Sequence, residues 1–162
     1  MPNHCSNRVT LYGDDAVSIQ KLHSIFIKGI KNGDKVFGHF IPEPDWKTIP
    51  LAENDIKEYT FSSPRGEVGE LPVYSNSKEL YFASTGHDDD RWYNWRINNW
   101  GTKWDCYSLK IDDTNMPDEF EVRFETAWSP PEGICNAIRG QYDTLSLSWF
   151  YDEPGRELAG YL

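Results

Sequence analysis

No stretch of the chain approaches the ~18 consecutive apolar residues that cross a bilayer, and the opening Met1-Pro2-Asn3-His4-Cys5-Ser6-Asn7-Arg8 has no basic region leading into an apolar one. The expectation is a cytoplasmic protein with no membrane association. Cysteine is scarce: Cys5, Cys106 and Cys135 are odd in number and lack a C-x-x-C spacing, which argues against a disulfide framework and against a four-thiolate zinc or iron–sulfur site. The histidines His4, His23, His39 and His87 form no H-x-x-x-H or H-E-x-x-H pair, and no G-x-S-x-G, phosphate-cradling P-loop or G-x-G-x-x-G is present. His4 and Cys5, adjacent on a strand, point to opposite sides and cannot act as base and nucleophile together. No catalytic residue, metal site or cofactor is expected.

Positive charge is also in short supply. Sixteen Lys and Arg face 26 Asp and Glu, for a net charge of −10. Such a field repels a polyphosphate backbone unless the few cations gather on one face, so generic nucleic-acid binding is not expected. It suits docking on basic surfaces, and it also keeps a small protein soluble.

What is present suffices for one folded domain. The chain has 162 residues, 38% of them apolar and 15% aromatic, with seven Trp, enough for a core without covalent staples. Val9 and Leu11 alternate with Arg8, Thr10 and Tyr12 as in a half-buried strand. A helix follows over about 15–31, carrying Ile19, Leu22, Phe26 and Ile30 on one side and ending at Asn32-Gly33. Residues 34–96 have no sustained period and are punctuated by Pro42, Pro44, Pro50, Pro64 and Pro72. They read as a large irregular insertion, with possible short strands at Val73-Tyr74 and Leu80–Ala83. Order returns with Tyr107, Leu109 and Ile111 alternating against Cys106, Ser108 and Lys110, a turn at Asp112–Asn115, and a strand in which Phe120, Val122 and Phe124 alternate against charged residues. Ser129 is the expected cap of a helix over about 130–140, with Pro130 and Pro131 in its first turn. Leu145, Leu147, Trp149 and Tyr151 mark a further strand, and Glu153-Pro154-Gly155 turns the chain into a last one over Leu158–Leu162.

This order predicts a ferredoxin-like α+β sandwich of the split βαβ plan. Two helices cover one face of an antiparallel sheet, and an extra C-terminal strand is appended. The other face carries Arg8, Thr10, Ser108, Lys110, Glu121, Arg123, Glu125, Ser146 and Ser148, too polar to lie beneath a third layer. RNA-binding domains of this topology stack bases on aromatics of the two central strands. Here Thr10, Arg123 and Glu125 take those places, which fits that mode poorly.

The densest chemistry lies between Arg91 and Trp104, where Trp92, Trp95, Trp100 and Trp104 mix with Arg91, Arg96 and Lys103. Indoles stack on bases and cations pair with phosphate, so the stretch can line a nucleotide pocket. Large aromatics equally plug cores. The ligand-binding candidates are Arg91, Trp92, Arg96, Trp100, Lys103 and Trp104, with Trp128 in addition. The run His87-Asp88-Asp89-Asp90 offers metal-ligand atoms, but consecutive carboxylates splay apart, and it reads as a solvated acidic loop.

Several stretches resemble the YubB-type ferredoxin-like domain family: Pro2-Asn3-x-Cys5-Ser6-Asn7-Arg8, Ile41-Pro42-x-Pro44, Asn99-Trp100-Gly101-Thr102-Lys103-Trp104, Thr126-Ala127-Trp128-Ser129-Pro130-Pro131 and Glu153-Pro154-Gly155. His4 stands where that family looks to carry Trp. The resemblance implies a protein of unknown role carried by a bacteriophage or plasmid in a bacterial cell, with the topology of a ferredoxin and no cluster. The first expectation is therefore a non-catalytic, acidic accessory protein that binds a host or mobile-element protein, for example as an inhibitor of host defence. The second is a nucleotide-binding or nucleotide-sequestering protein using residues 91–104, and the third an enzyme with a spatially assembled carboxylate site.

Overall fold

The computed structural model describes residues 3–49, 60–62, 68–70, 91–112 and 116–162. The expected strands at Val73-Tyr74 and Leu80–Ala83, the His87–Asp90 run and most of the Asp112–Asn115 turn lie outside them. The chain divides into two compact units, one formed by 1–42 with 95–162 and the other by 43–94.

The first unit begins with β1 (His4–Tyr12), longer than its clearest alternation suggests, followed by α1 (Ala16–Asn32). Asp15 caps α1. Its carboxylate accepts from the Ser18 amide at 3.1 Å and the Ser18 hydroxyl at 2.6 Å, which holds it below its usual ionisation range. Gly33 closes the helix in the left-handed conformation at φ 69°. A short α2 (Phe37–Phe40) then buries both of its phenyl rings, a turn hidden from periodicity by its brevity.

In the second unit, Trp46 lies in a 3-10 turn over Trp46–Thr48, and its indole N–H donates to Glu43. A small hairpin pairs β2 (Thr60–Ser62) with β3 (Val68–Glu70). The helix α3 (Arg91–Asn99), which begins in this unit and from Trp95 onward belongs to the first, corrects the expectation of irregular chain up to residue 96. Its mixture of rings, amides and guanidinium groups draws no continuous apolar stripe, so the sequence does not announce it.

The first unit then continues through β4 (Tyr107–Asp112), β5 (Glu119–Ala127), α4 (Glu132–Gln141), β6 (Ser146–Glu153) and β7 (Leu158–Tyr161). The antiparallel sheet has the order β4-β5-β1-β6-β7, which is the split βαβ arrangement with β7 added beside β6. One core joins Val9 and Leu11 of β1, Ile19, Leu22 and Phe26 of α1, Phe120, Val122 and Phe124 of β5, Ile134, Cys135 and Ile138 of α4, and Trp149 of β6. Both long helices therefore lie on the same face.

A buried polar chain crosses that core at the sheet. Asn7 donates to the Cys5 carbonyl at 3.0 Å and to the Thr126 hydroxyl at 2.9 Å, and accepts from the Trp149 indole at 3.0 Å. Every polar atom of the Asn7 amide plane thus faces a partner, which makes burial tolerable and fixes how β1, β5 and β6 register. Burial pushes the Cys5 thiol up to about 11 and raises Cys135 as well. These are inert thiols.

Two local expectations are corrected. Ser129 does not cap α4: the cap position is Pro131, and the Ser129 hydroxyl donates to the Gly101 carbonyl at 2.6 Å. Tyr107 does not share a face with Leu109 and Ile111. A β-bulge between Tyr107 and Lys110 inserts one residue, Ser108 adopts φ 54°, and Tyr107 turns to meet His4 while Cys106 packs against the core.

Candidate functional site

The sequence-predicted candidates fall into separate settings. Arg91 is engaged within its own unit, its guanidinium 5.2 Å from the Trp46 ring centroid and donating to the Trp46 and Ile49 carbonyls. Trp92 packs edge-to-face on Tyr93. Trp100 is completely buried, with its indole N–H donating to the Ile41 carbonyl at 2.9 Å and its ring against Phe37 and Trp95. Arg96 stacks over Trp100 at 4.9 Å and donates to the Lys103 carbonyl, while the Lys103 ammonium sits 4.3 Å from the half-exposed Trp104 ring. Arg96, Trp100, Lys103 and Trp104 are thus brought together. Their central ring is core. Trp128, also partly exposed, has φ 73°, and its amide donates to the Asn3 carbonyl.

The two most word-like stretches are halves of one packing unit. Thr102, fully buried, donates to the Ala127 carbonyl at 2.9 Å, and Ser129 closes back on Gly101. Gly101 has φ 90°, and a Cβ there would meet the Pro130 carbonyl and the Glu132 amide. Close backbone approach accounts for the Trp-Gly-Thr and Trp-Ser-Pro-Pro spellings without invoking a ligand.

The uncovered sheet face has a different character. Register places Lys110 of β4 opposite Arg123 of β5, Arg123 opposite Arg8 of β1, Arg8 opposite Phe150 of β6, and Phe150 opposite Tyr161 of β7. One row crosses all five strands, three cations followed by two rings. Without the bulge in β4, regular pairing from Tyr107↔Glu125 would set Lys110 against Val122, so the inserted residue completes the row. Arg8 stacks on Phe150 at 5.2 Å, and Phe150 meets Tyr161 edge-to-face at 5.3 Å. Among the described residues, neither Arg8 nor Lys110 has a side-chain hydrogen bond or ion pair. Arg123 gives its Nε–H to Glu121 at 2.6 Å, leaving the rest of its fork outward.

Acidic rows flank the cations. On one side the register pairs Asp112 with Glu121, and on the other it runs Glu125, Ser6, Asp152. The Ser108 hydroxyl donates to Glu125 at 3.1 Å, and His4 Nδ1 lies 2.8 Å from the Tyr107 hydroxyl and 3.8 Å from Glu125. Burial, with the neighbouring Glu125 charge, raises the Tyr107 phenol. Over the cation row and the neighbouring Glu125, Ser6, Asp152 row is a concavity of about 400 Å³ lined by Ser6, Arg8, Ser108, Lys110, Arg123, Glu125, Phe150 and Asp152, among others. That volume falls in the range of small-molecule sites. Among the described residues, no group of three or more His, Cys, Asp or Glu is placed to hold a metal ion, and no helix is long and apolar enough to cross a membrane.

Sequence reading assigned most of these residues to the polar face but missed the site, because alternation tells which face a residue takes and not which residue lies beside it. Phe150 takes the same face of β6 as Ser146 and Ser148, an aromatic among hydroxyls. Its juxtaposition with Arg8 follows only from strand pairing.

Residues 103–162 match the family model of the ferredoxin-like domain in Api92-like protein, in accord with the sheet and helix arrangement of that stretch. Among solved structures the chain is similar to the crystal structure of a protein api92 from Yersinia pseudotuberculosis, at 12% identity and a TM-score of 0.49, over 99% of this chain and 93% of that one. A likeness at that level carries no functional weight. No curated protein matches the chain.

Proposed function

We propose that the protein acts by binding and not by catalysis, and that its working surface is the uncovered face of the sheet, taking a small ligand that carries phosphate groups. The supporting observation is the row Lys110, Arg123, Arg8. Like charges directly opposite across strands destabilise a sheet, and these three adjoin with a single carboxylate contact among them. An anion seated between them removes that repulsion and accepts charge-assisted hydrogen bonds from two guanidinium forks and an ammonium. The flanking acidic rows, and the net charge of −10, turn away a long polyanion while leaving room for a short one.

Titration calorimetry with inorganic pyrophosphate tests this. Saturable binding that weakens with added salt is expected, with at least a tenfold loss in Arg8→Glu and in Arg123→Glu. Binding that both variants retain in full would move the site elsewhere, and no binding by the wild-type protein would overturn the reading.

A second reading rests on the same charge. With 26 acidic residues against 16 basic ones, the remaining surface suits docking on a basic protein of the host or of a mobile element. Phage or plasmid origin is what the YubB-type resemblance implies, residence in the bacterial cytoplasm is expected from that origin and from the scarcity of cysteine, and inhibition of host defence is one concrete version of this reading. Co-purification that survives Arg8→Glu but fails when acidic residues outside the sheet face are neutralised would favour it.

A further inference from the structure

We infer that the anion bound on the sheet face belongs to a nucleotide, whose base stacks against the Phe150–Tyr161 pair while its phosphates run along Arg8, Arg123 and Lys110. This rests on the proposed anion site and adds the identity of the rest of the ligand.

The row is asymmetric, and that asymmetry carries the inference. Two rings occupy the β6–β7 end and three cations the β1–β5–β4 end, in unbroken register. A site for phosphate alone has no use for the rings. A site for an aromatic alone has no use for three adjoining cations. Strands in a sheet lie about 4.8 Å apart, so the first cation sits about 5 Å from the Phe150 backbone and the third about 10 Å further across. A nucleoside with two or three phosphates has this extent and this order of groups, ring first and charge last. Tyr161 is 68% exposed although it is aromatic, and the two rings meet at an interplanar angle of 63°, so neither lies flat on the other and π-surface of Tyr161 is open at that end.

The carboxylates bordering the row fit the middle of such a ligand. Ser6 and Asp152 oppose each other in the adjacent row, and Glu125 lies on the other side of Ser6. Carboxylates accept hydrogen bonds from sugar hydroxyls and from exocyclic amino groups, and they reject additional phosphates. A continuous strand of nucleic acid running along the β-strands would carry its next phosphates over Asp152, Glu125 or Glu121. A single nucleotide does not. The ligand is therefore a mononucleotide, and a nucleic-acid strand is an outcome of the test.

The experiment compares ADP, inorganic pyrophosphate, adenosine and a ten-residue oligothymidylate by calorimetry, on the wild-type protein and on Phe150→Ala and Phe150→Leu. ADP is expected to bind about tenfold or more tightly than pyrophosphate, as stacking of one base contributes. Both Phe150 variants should lose that advantage and keep the pyrophosphate affinity. Phe150→Leu retains apolar bulk, so its thermal melt distinguishes loss of the ring from loss of the fold. Equal affinity for ADP and pyrophosphate would overturn the nucleotide assignment and leave the anion site standing. Absence of binding by either would overturn both. Tighter binding of the oligothymidylate than of ADP would replace the mononucleotide with a strand.

Discussion

Replacing Trp100 with Ala should cost about 3–5 kcal/mol of folding stability, the range for deleting a large aromatic from a packed core. The indole is completely buried, contacts Phe37 and Trp95 edge-to-face at 5.8 Å each, and supplies the hydrogen bond that satisfies the Ile41 carbonyl. Truncation leaves a cavity between Phe37, Trp95 and Ile41, and it orphans that carbonyl. It also removes the platform for the Arg96 guanidinium at 4.9 Å. Urea unfolding monitored by circular dichroism reads the loss directly. A change below about 1 kcal/mol would mean that the ring is not part of the core.

Gly133→Ala should be nearly as damaging, at about 3 kcal/mol, from overpacking where the cavity variant underpacks. A Cβ on Gly133, in the first turn of α4, would fall inside the van der Waals envelope of the Asn99 carbonyl at the end of α3. Backbone, unlike a side chain, cannot swing aside. Gly140 in the same helix supplies the opposite sign: a Cβ there meets nothing within 4 Å, so Gly140→Ala should gain about 0.5–1 kcal/mol. Two Gly→Ala changes seven positions apart, one helpful and one harmful, separate close approach from helix propensity. Matching signs in chemical unfolding would contradict the packing of α4 on α3.

Much of the fold was legible because its elements repeat their patterns long enough. Phe120, Val122 and Phe124 alternate over most of β5, and Ile19, Leu22 and Phe26 mark the buried stripe of α1. Elements without such a pattern went unread. The four-residue α2 is too short to show a period, and α3 mixes rings with amides. One inserted residue at Ser108 reversed the expected faces of Tyr107 and Cys106, since a strand's period of two leaves no tolerance for a slip. Ser129 carries a cap signal, but its hydroxyl donates to the Gly101 carbonyl instead.

The candidate site divides in the same way. Chemical density drew attention to Arg91–Trp104, where aromatic content reflects packing on a core more than exposure. The row on the sheet face draws its residues from positions 8, 110, 123, 150 and 161, and only strand pairing makes them neighbours. Sequence distance hid a cluster that register creates.

The most direct test of the sheet-face site is proton–nitrogen chemical-shift mapping of ADP titrated into the folded protein. Saturable shifts are expected at Arg8, Lys110, Arg123, Phe150 and Tyr161 and their strand neighbours, with α1 unmoved on the opposite face. Shifts centred instead on Trp104 and Trp128, or an unperturbed sheet at millimolar ADP, would contradict it.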